Sequence, residues 1–478
     1  MKTCRYSPVD EEVLKELSEI FGPGNVSFEP GKVRTYSRDE VGEQFWDSDY
    51  LAEVVVFPEN TRQVSSLMKL ASRRVIPVTP RGAGTGLSGG AVPAFGGIVV
   101  SFEKMNRILE CDPVNLTATV EPGVITADIS RAALPHGLHY AGDPCSGDAS
   151  FIGGNVAENA GGNKVIKYGA TGANVLGLEV VLPSGDVTWF GGKRRKDVTG
   201  LDFVHLVAGS EGTLCVVTKI IVKLVPLPEC VVDLLVPFRT MEEAISFVPR
   251  ILTEGRVTPA SVECMNRNSL EIVSRYTGAV LPFQEAGAHL IIQLEGNDPE
   301  SLADEYERLG QICLSSGALE VFVADNRNSR DRLWKARKSI AEAVMAFSTR
   351  YAKEDVVVPT SEVPELMGRV DGIAKKYGLD GVNYGHVGDG NIHVNFLMEE
   401  DCPDWKDIIE SARIELYEVT ASLGGTLSGE HGIGLKRRKY MSLFMDEVQI
   451  DLIRKVKKAF DPLGIMNPGK IIEERSNA

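Results

Sequence analysis

Residues 80–97 read Pro-Arg-Gly-Ala-Gly-Thr-Gly-Leu-Ser-Gly-Gly-Ala-Val-Pro-Ala-Phe-Gly-Gly. No other run restricts the fold as much. Gly84-Thr85-Gly86-Leu87-Ser88-Gly89 matches G-x-G-x-x-G and follows an apolar stretch, Val75–Thr79, that reads as a strand. In a Rossmann unit that pattern must open a helix whose N-terminus meets a pyrophosphate. Here it runs on into Gly90–Gly97, with a proline and three more glycines, which cannot be a helix. The Rossmann reading is therefore rejected. What remains is a loop of small residues between two strands, whose successive N–H groups can form a nest around an anion. A second glycine-rich run, residues 142–174, carries Asp143-Pro144, Gly153-Gly154-Asn155 and Gly161-Gly162-Asn163. Two such runs exceed what a bland surface loop requires.

At 478 residues the chain is longer than one hydrophobic core usually organises, so two or three domains are expected. The pattern predicts helices from about Thr61 to Arg74 and near Ala127–Leu134, with strands at Gly97–Phe102, Thr117–Glu121 and Leu214–Leu224. Leu176–Leu182, Ser184-Gly185-Asp186 and Val187–Phe190 read as a hairpin. Pro226-Leu227-Pro228 marks a boundary, because glycine density falls after it. Strands at Val231–Val236, Ala260–Glu263, His289–Glu295 and Glu320–Ala324 then alternate with helices at Met241–Leu252 and Pro299–Ser315. That is an α+β pattern, an antiparallel sheet with helices on one face. Further helices are expected at Asp331–Phe347, Pro364–Tyr377, 404–423 and 446–460. The expected domains are 1–228, 229–425 and a C-terminal segment, 426–478.

The formal charge of −15 argues against nucleic acid or an anionic membrane as the main partner. Eight scattered cysteines without a Cys-x-x-Cys give no iron–sulfur or structural zinc site and suit a reducing cytoplasm. No apolar run approaches transmembrane length, and the first residues lack a signal-peptide core.

A second signal lies far downstream. Gly385-His386-Val387-Gly388-Asp389-Gly390-Asn391-Ile392-His393-Val394-Asn395 is followed by Ser428-Gly429-Glu430-His431-Gly432. Ile392–Asn395 alternates as a strand, so His393 and Asn395 share a face. Gly388 and Gly390 let the preceding turn fold back and bring His386 towards His393. Two histidines and a carboxylate, His386, His393 and Glu430, form the ligand set of a divalent cation that keeps a position open. Zinc, iron and manganese all suit it. The bland alternative is a pair of hydrogen-bonded turn histidines.

Pro80–Gly86, Gly142-Asp143-Pro144, Ile152-Gly153-Gly154-Asn155 and Gly209-Ser210-Glu211-Gly212-Thr213-Leu214 resemble the FAD-binding domain of vanillyl-alcohol-oxidase-type flavoproteins. His386–Asn395, Ser428–Gly434 and Asn467-Pro468-Gly469-Lys470 resemble the branch holding the D subunit of glycolate oxidase, FAD-linked D-lactate dehydrogenases and D-2-hydroxyglutarate dehydrogenase. The resemblance covers nearly the whole chain. It implies a two-part FAD-binding domain of that type, an α+β cap domain, and a C-terminal segment returning to the flavin.

By the same resemblance Pro80, Arg81, Gly82, Ala83, Gly84, Thr85, Gly86, Leu87 and Ser88 hold the FAD pyrophosphate. Pro144, Ser150, Gly153, Gly154, Asn155, Ala157, Ala160, Gly161, Gly169 and Gly172 line the rest of the cofactor. Glu211 and Gly212 lie at the adenosine end and Asn467 at the isoalloxazine. No histidine stands near the first loop to form a covalent link, so the FAD is expected to be non-covalent. Cys145 is expected as a small packed side chain.

The reaction expected is oxidation of a small D-2-hydroxy acid, D-lactate ahead of glycolate, with hydride passing to FAD. His431 is the expected base, and Arg337, Lys353 and Asn395 the expected substrate contacts. D-2-Hydroxyglutarate dehydrogenases carry a threonine where this chain has Ala341, which disfavours the five-carbon diacid. The electron acceptor is expected to be an electron-transfer flavoprotein or an iron–sulfur subunit, with the chain cytoplasmic or held at the membrane through that partner. Competing readings are a non-catalytic FAD-bearing subunit of a redox complex and a metallohydrolase.

Overall fold

The computed structural model describes residues 6–42, 46, 48–278, 280–398 and 402–473. The chain forms two compact units. One comprises Met1–Gly161, Gly169–Leu227 and Glu430–Ala478, and the other Gly162–Tyr168 and Pro228–Gly429.

The first unit holds two sheets. In the smaller, β1 (Val26–Ser27), β2 (Val54–Val56), β3 (Val78–Arg81) and β4 (Ile98–Ser101) stand in the order β1-β2-β4-β3. The β-branched runs of β2 and β4 are buried on both faces, as parallel strands require. Helix Thr61–Arg74 supplies the crossover between β2 and β3. Asn60 caps it by accepting from Gln63 N, and Val64, Leu67, Met68 and Ala71 form its buried stripe. Burying Leu67 and Met68 stabilises by about 2–3 kcal/mol each. The helix ends at Val75 in the left-handed region, so β3 starts at Val78 and not at the expected Val75. The C-terminal stretch adds to the edge of this sheet. Val78 N donates to Ile465 O at 2.8 Å, and Asn467 N donates to Val78 O at 2.8 Å.

The larger sheet takes β5 (Ile108–Asp112), β6 (Thr117–Val120), β7 (Leu138–Tyr140), β8 (Val175–Val181), β9 (Val187–Gly191) and β10 (Val216–Pro226). Its order is β5-β6-β10-β8-β9, with β7 also pairing β10. The expected β8–β9 hairpin is present. Inside the second glycine run a short helix forms, Ile152–Glu158.

The second unit is built on one seven-stranded antiparallel sheet. Its strands are β11 (Cys230–Phe238), β12 (Ser261–Asn266), β13 (Ala288–Gly296), β14 (Phe322–Ala324), β15 (Tyr351–Val357), β16 (Asp380–His386) and β17 (Asn391–Leu397). They stand in the order β14-β11-β13-β12-β16-β17-β15. Alternation sends Val232, Leu234, Val262, Ile292, Leu294, Val394 and Phe396 to one buried face. The opposite face carries Asp233, Gln293, Ser261, Glu263, Tyr384, His386, His393 and Asp355, and these are buried too. The expected helix Asp331–Phe347 is two helices, Arg327–Lys338 and Ile340–Phe347, broken at Ser339. Among the described residues, no helix is long and apolar enough to cross a membrane.

Candidate functional site

In the first unit β3 runs straight into the glycine loop, which forms one wall of an open cleft of about 230 Å³. The amides of Ala83–Leu87 donate to no other described residue. A row of unpaired N–H groups beside a cleft is the nest expected of an anion site. Gly84 sits at φ +83°, and a Cβ there would lie 2.1 Å from the Arg81 guanidinium. Arg81 itself is turned into the loop, donating to Arg38 O, and burial lowers its pKa. It anchors the loop through that bond.

Residues 80–87, Pro144, Gly153, Gly154, Asn155, Ala157, Ala160, Glu211 and Gly212 line the cleft, joined by Glu430 and His431. Ser88, Ser150, Gly161, Gly169, Gly172 and Asn467 are not among the residues that line it. The Ser150 and Asn155 side chains are tied through Thr126 Oγ1, at 3.1 and 2.6 Å, so they shape the wall from within. Cys145 is exposed on the cleft, where a packed side chain was expected.

Glu211 and Asn467 were assigned to opposite ends of the cofactor, and the structure corrects this. Asn467 Nδ2 donates to Glu211 O at 2.8 Å and to Gly90 O at 2.9 Å. Residues that share a hydrogen bond cannot stand at the two ends of an extended dinucleotide. The Glu211 carboxylate accepts from Ile433 N and Gly434 N at 2.7 and 2.6 Å, holding the segment just after His431. Glu158, unforeseen in the sequence, also lines the cleft. Burial, with Glu211 and Asp39 nearby, holds its carboxyl well above the usual range. Burial likewise raises Glu211, pushes Asp39 up to about 6 and pulls the Lys470 ammonium down to about 7. A Cβ at Gly161 would meet Glu430 Oε2 at 2.8 Å, so Glu430 rests on that glycine. His431 Nε2 lies 3.9 Å from Glu430 Oε1.

In the second unit the β16–β17 hairpin brings His386 and His393 side by side, with ring centroids 5.2 Å apart. Each faces a buried carboxylate on a neighbouring strand. Glu263 Oε1 lies 2.7 Å from His386 Nδ1, and Asp355 Oδ1 lies 3.6 Å from His393 Nδ1. Asp355 also accepts from Asn391 Nδ2, Ser428 Oγ and Gly429 N, at 2.7, 2.8 and 3.0 Å. Arg337 Nε donates to Glu263 Oε2 at 2.9 Å, and its guanidinium stacks 4.6 Å from the Tyr384 ring. Tyr384 in turn packs 5.1 Å from His393. Burial opposes ionisation of Glu263, but His386 and Arg337 outweigh it and keep the carboxyl below its ordinary range.

Lys353 stands on β15 two residues from Asp355, on the same face, with its ammonium 5.6 Å from the Tyr351 ring. Asn395 Nδ2 donates to Val382 O at 2.8 Å, so that amide is fixed by backbone. Glu263, Asp355 and Tyr384 were not singled out from the sequence. The available signal was polar–apolar alternation, as in Ser261-Val262-Glu263-Cys264. The donor set of this face, two imidazoles backed by carboxylates, is chemically what a divalent cation takes.

The profile of an FAD binding domain matches residues 52–191, and that of the C-terminal domain of FAD linked oxidases matches residues 227–471. Glycolate oxidase subunit GlcD of Bacillus subtilis (strain 168) is 38% identical over 463 residues, 97% of each chain. D-lactate dehydrogenase of Anaerostipes hadrus is 33% identical over 485 residues, 98% of this chain and 99% of its own. The structure of p-cresol methylhydroxylase with substrate bound matches with a TM-score of 0.78 at 17% identity, over 97% of this chain and 96% of its own. That likeness gives the fold, the vanillyl-alcohol-oxidase type. The unpaired amides of the cleft fit the FAD pyrophosphate, and by sequence the chain belongs to the FAD-linked oxidases, a family of oxidoreductases.

Proposed function

We propose that the protein oxidises a small D-2-hydroxy acid to the 2-keto acid, with D-lactate favoured and glycolate next. The observation that carries this reading is the polar sheet face, where two carboxylate-backed imidazoles stand beside a stacked arginine. The likeness to a glycolate oxidase subunit and a D-lactate dehydrogenase supports it. Bound FAD supplies the hydride acceptor. His386 and His393, with Glu430 as the third ligand expected from the sequence, would hold a divalent cation, which would supply Lewis acidity that lowers the pKa of the substrate hydroxyl.

The chain's own residues do the rest. Arg337 and Lys353 bind the substrate carboxylate, the first with a planar fork of donors. Asn395, fixed by the Val382 carbonyl, keeps its amide oxygen for a donor on the substrate. His431 accepts the hydroxyl proton as a neutral imidazole. Glu158 and Glu211 shape the cleft wall behind the His431 segment. Ala341, small and apolar, offers no partner to a second carboxylate and so favours a monoacid. Electrons leave to an electron-transfer flavoprotein or an iron–sulfur subunit.

The test is anaerobic mixing of purified protein with D-lactate, L-lactate, glycolate and D-2-hydroxyglutarate, before and after chelator treatment. Bleaching of the flavin by a D-acid or glycolate, lost with chelator and restored by metal, is the expected result. A yellow protein bleached by none of the four acids overturns the substrate class.

A further inference from the structure

Glu263 is completely buried on the polar face of the seven-stranded sheet, and every partner it has lies within the second unit. Oε1 accepts from Ser261 Oγ at 3.1 Å and lies 2.7 Å from His386 Nδ1. Oε2 takes Arg337 Nε at 2.9 Å and lies 2.7 Å from Nη2. A carboxylate has about four acceptor positions, and these four contacts occupy it. Glu263 is thus unsuited to touch a substrate directly.

The division between its two oxygens is informative. An ion pair needed only for stability would put both oxygens on the guanidinium, in the bidentate arrangement that arginine favours. Here one oxygen serves the arginine and the other serves the imidazole. A carboxylate oxygen accepts, so with Nε2 given to a cation the one proton of His386 stays on Nδ1, facing Glu263 Oε1. The same carboxylate holds Arg337 over Tyr384, which packs against His393, which packs against His386. Five side chains therefore close a ring: Glu263, Arg337, Tyr384, His393 and His386.

We propose that Glu263 is a positioning residue that couples the substrate-binding arginine to the metal-binding histidine. It fixes the His386 tautomer that presents Nε2 to a divalent cation, and with its other oxygen sets the Arg337 guanidinium. The inference rests on the function proposed above, in which His386 and Arg337 carry those roles. Outer carboxylates of this kind tune metal affinity by roughly ten- to a hundredfold.

Two substitutions test it on the FAD-loaded protein. Glu263→Gln keeps the size but loses the charge. It is expected to weaken Mn²⁺ binding, measured by competition with a chromophoric chelator, by roughly ten- to a hundredfold, and to raise KM. Glu263→Asp is one methylene shorter and reaches one partner but not both. It is expected to keep either metal affinity or KM near wild type, never the two together. Bound flavin per protein stays at the wild-type level in both, as the control for folding. If either variant fails to fold, Ser261→Ala, which removes a donor from Oε1, is expected to lower Mn²⁺ affinity in the same sense. Wild-type metal affinity and KM in the folded variants overturn the proposal. Should the wild type oxidise no 2-hydroxy acid while Glu263→Gln still binds Mn²⁺ more weakly, the substrate reading fails and the setting of His386 stands.

Discussion

The two sites of this molecule are made of different material. The cleft of the first unit is a backbone site: loop amides from Ala83 to Leu87 without partners among the described residues, walls of glycine and alanine, and an arginine folded inward to hold the loop. The polar face of the second unit is a side-chain site, in which Glu263, Arg337, Tyr384, His386 and His393 touch in sequence around a ring. A backbone site tolerates a change of functional group and fails when a Cβ is added. A side-chain site behaves the opposite way. In the proposed function, one would hold the cofactor whatever the substrate, and the other would select and activate the substrate.

The sharpest break of that contrast is at the histidines. His386→Ala and His393→Ala are expected to cut the rate of flavin reduction at least about a thousandfold, ~4 kcal/mol, while bound flavin is unchanged. Loss of flavin from either variant would show that the two sites are not separable. Next in size is Gly84→Val, which puts a β-branched residue at φ +83° against Arg81. A destabilisation of about 3 kcal/mol is expected, read as flavin loss together with a lower melting temperature. Full flavin occupancy would mean the loop amides are not the anchor.

A third prediction concerns pH. Asp39 accepts from Val41 N and Gly89 N, and burial lifts its pKa from 3.8 to about 6. A raised acid binds its proton more tightly in the folded protein than in the unfolded chain. Stability contributed by this group is therefore highest at or below pH ~4 and falls as pH rises to about 6. Asp39→Asn should flatten that slope, worth on the order of 2 kcal/mol for a half-buried group, in melts taken across the window. Smallest is Ala341→Thr, expected to shift the ratio of D-2-hydroxyglutarate to D-lactate turnover by about tenfold. No change would remove Ala341 from the specificity argument.

The regular parts of the fold were legible in the sequence because single faces were. Helices Thr61–Arg74 and Pro299–Ser315 lie where their apolar spacing puts them, and β17 follows the alternation around His393. Strand β15 escaped notice because Lys353-Glu354-Asp355 is polar on both sides. Asp355 joins the functional face, while Glu354 is buried opposite, held by Arg413 Nε at 2.8 Å and by Tyr417. Helix Ile152–Glu158 begins with two glycines in its first turn, and intrinsic propensity speaks against it. Glu263 left no motif at all. Its partner His386 is 123 residues away, and only the antiparallel pairing of β12 with β16 brings them together.

The order of the chain has a consequence for synthesis. The seven-stranded unit is drawn almost wholly from Pro228–Gly429, one continuous stretch, whereas the first unit also needs Glu430–Ala478. Its small sheet lacks the Ile465–Asn467 edge, and its cleft lacks Glu430 and His431, until those residues leave the ribosome. Tyr6 hydroxyl even donates to Gly464 O at 2.7 Å, a contact across 458 positions of sequence. The inserted unit can therefore fold during translation, while the surrounding one must wait for residues 430–473 to emerge before it can load its flavin.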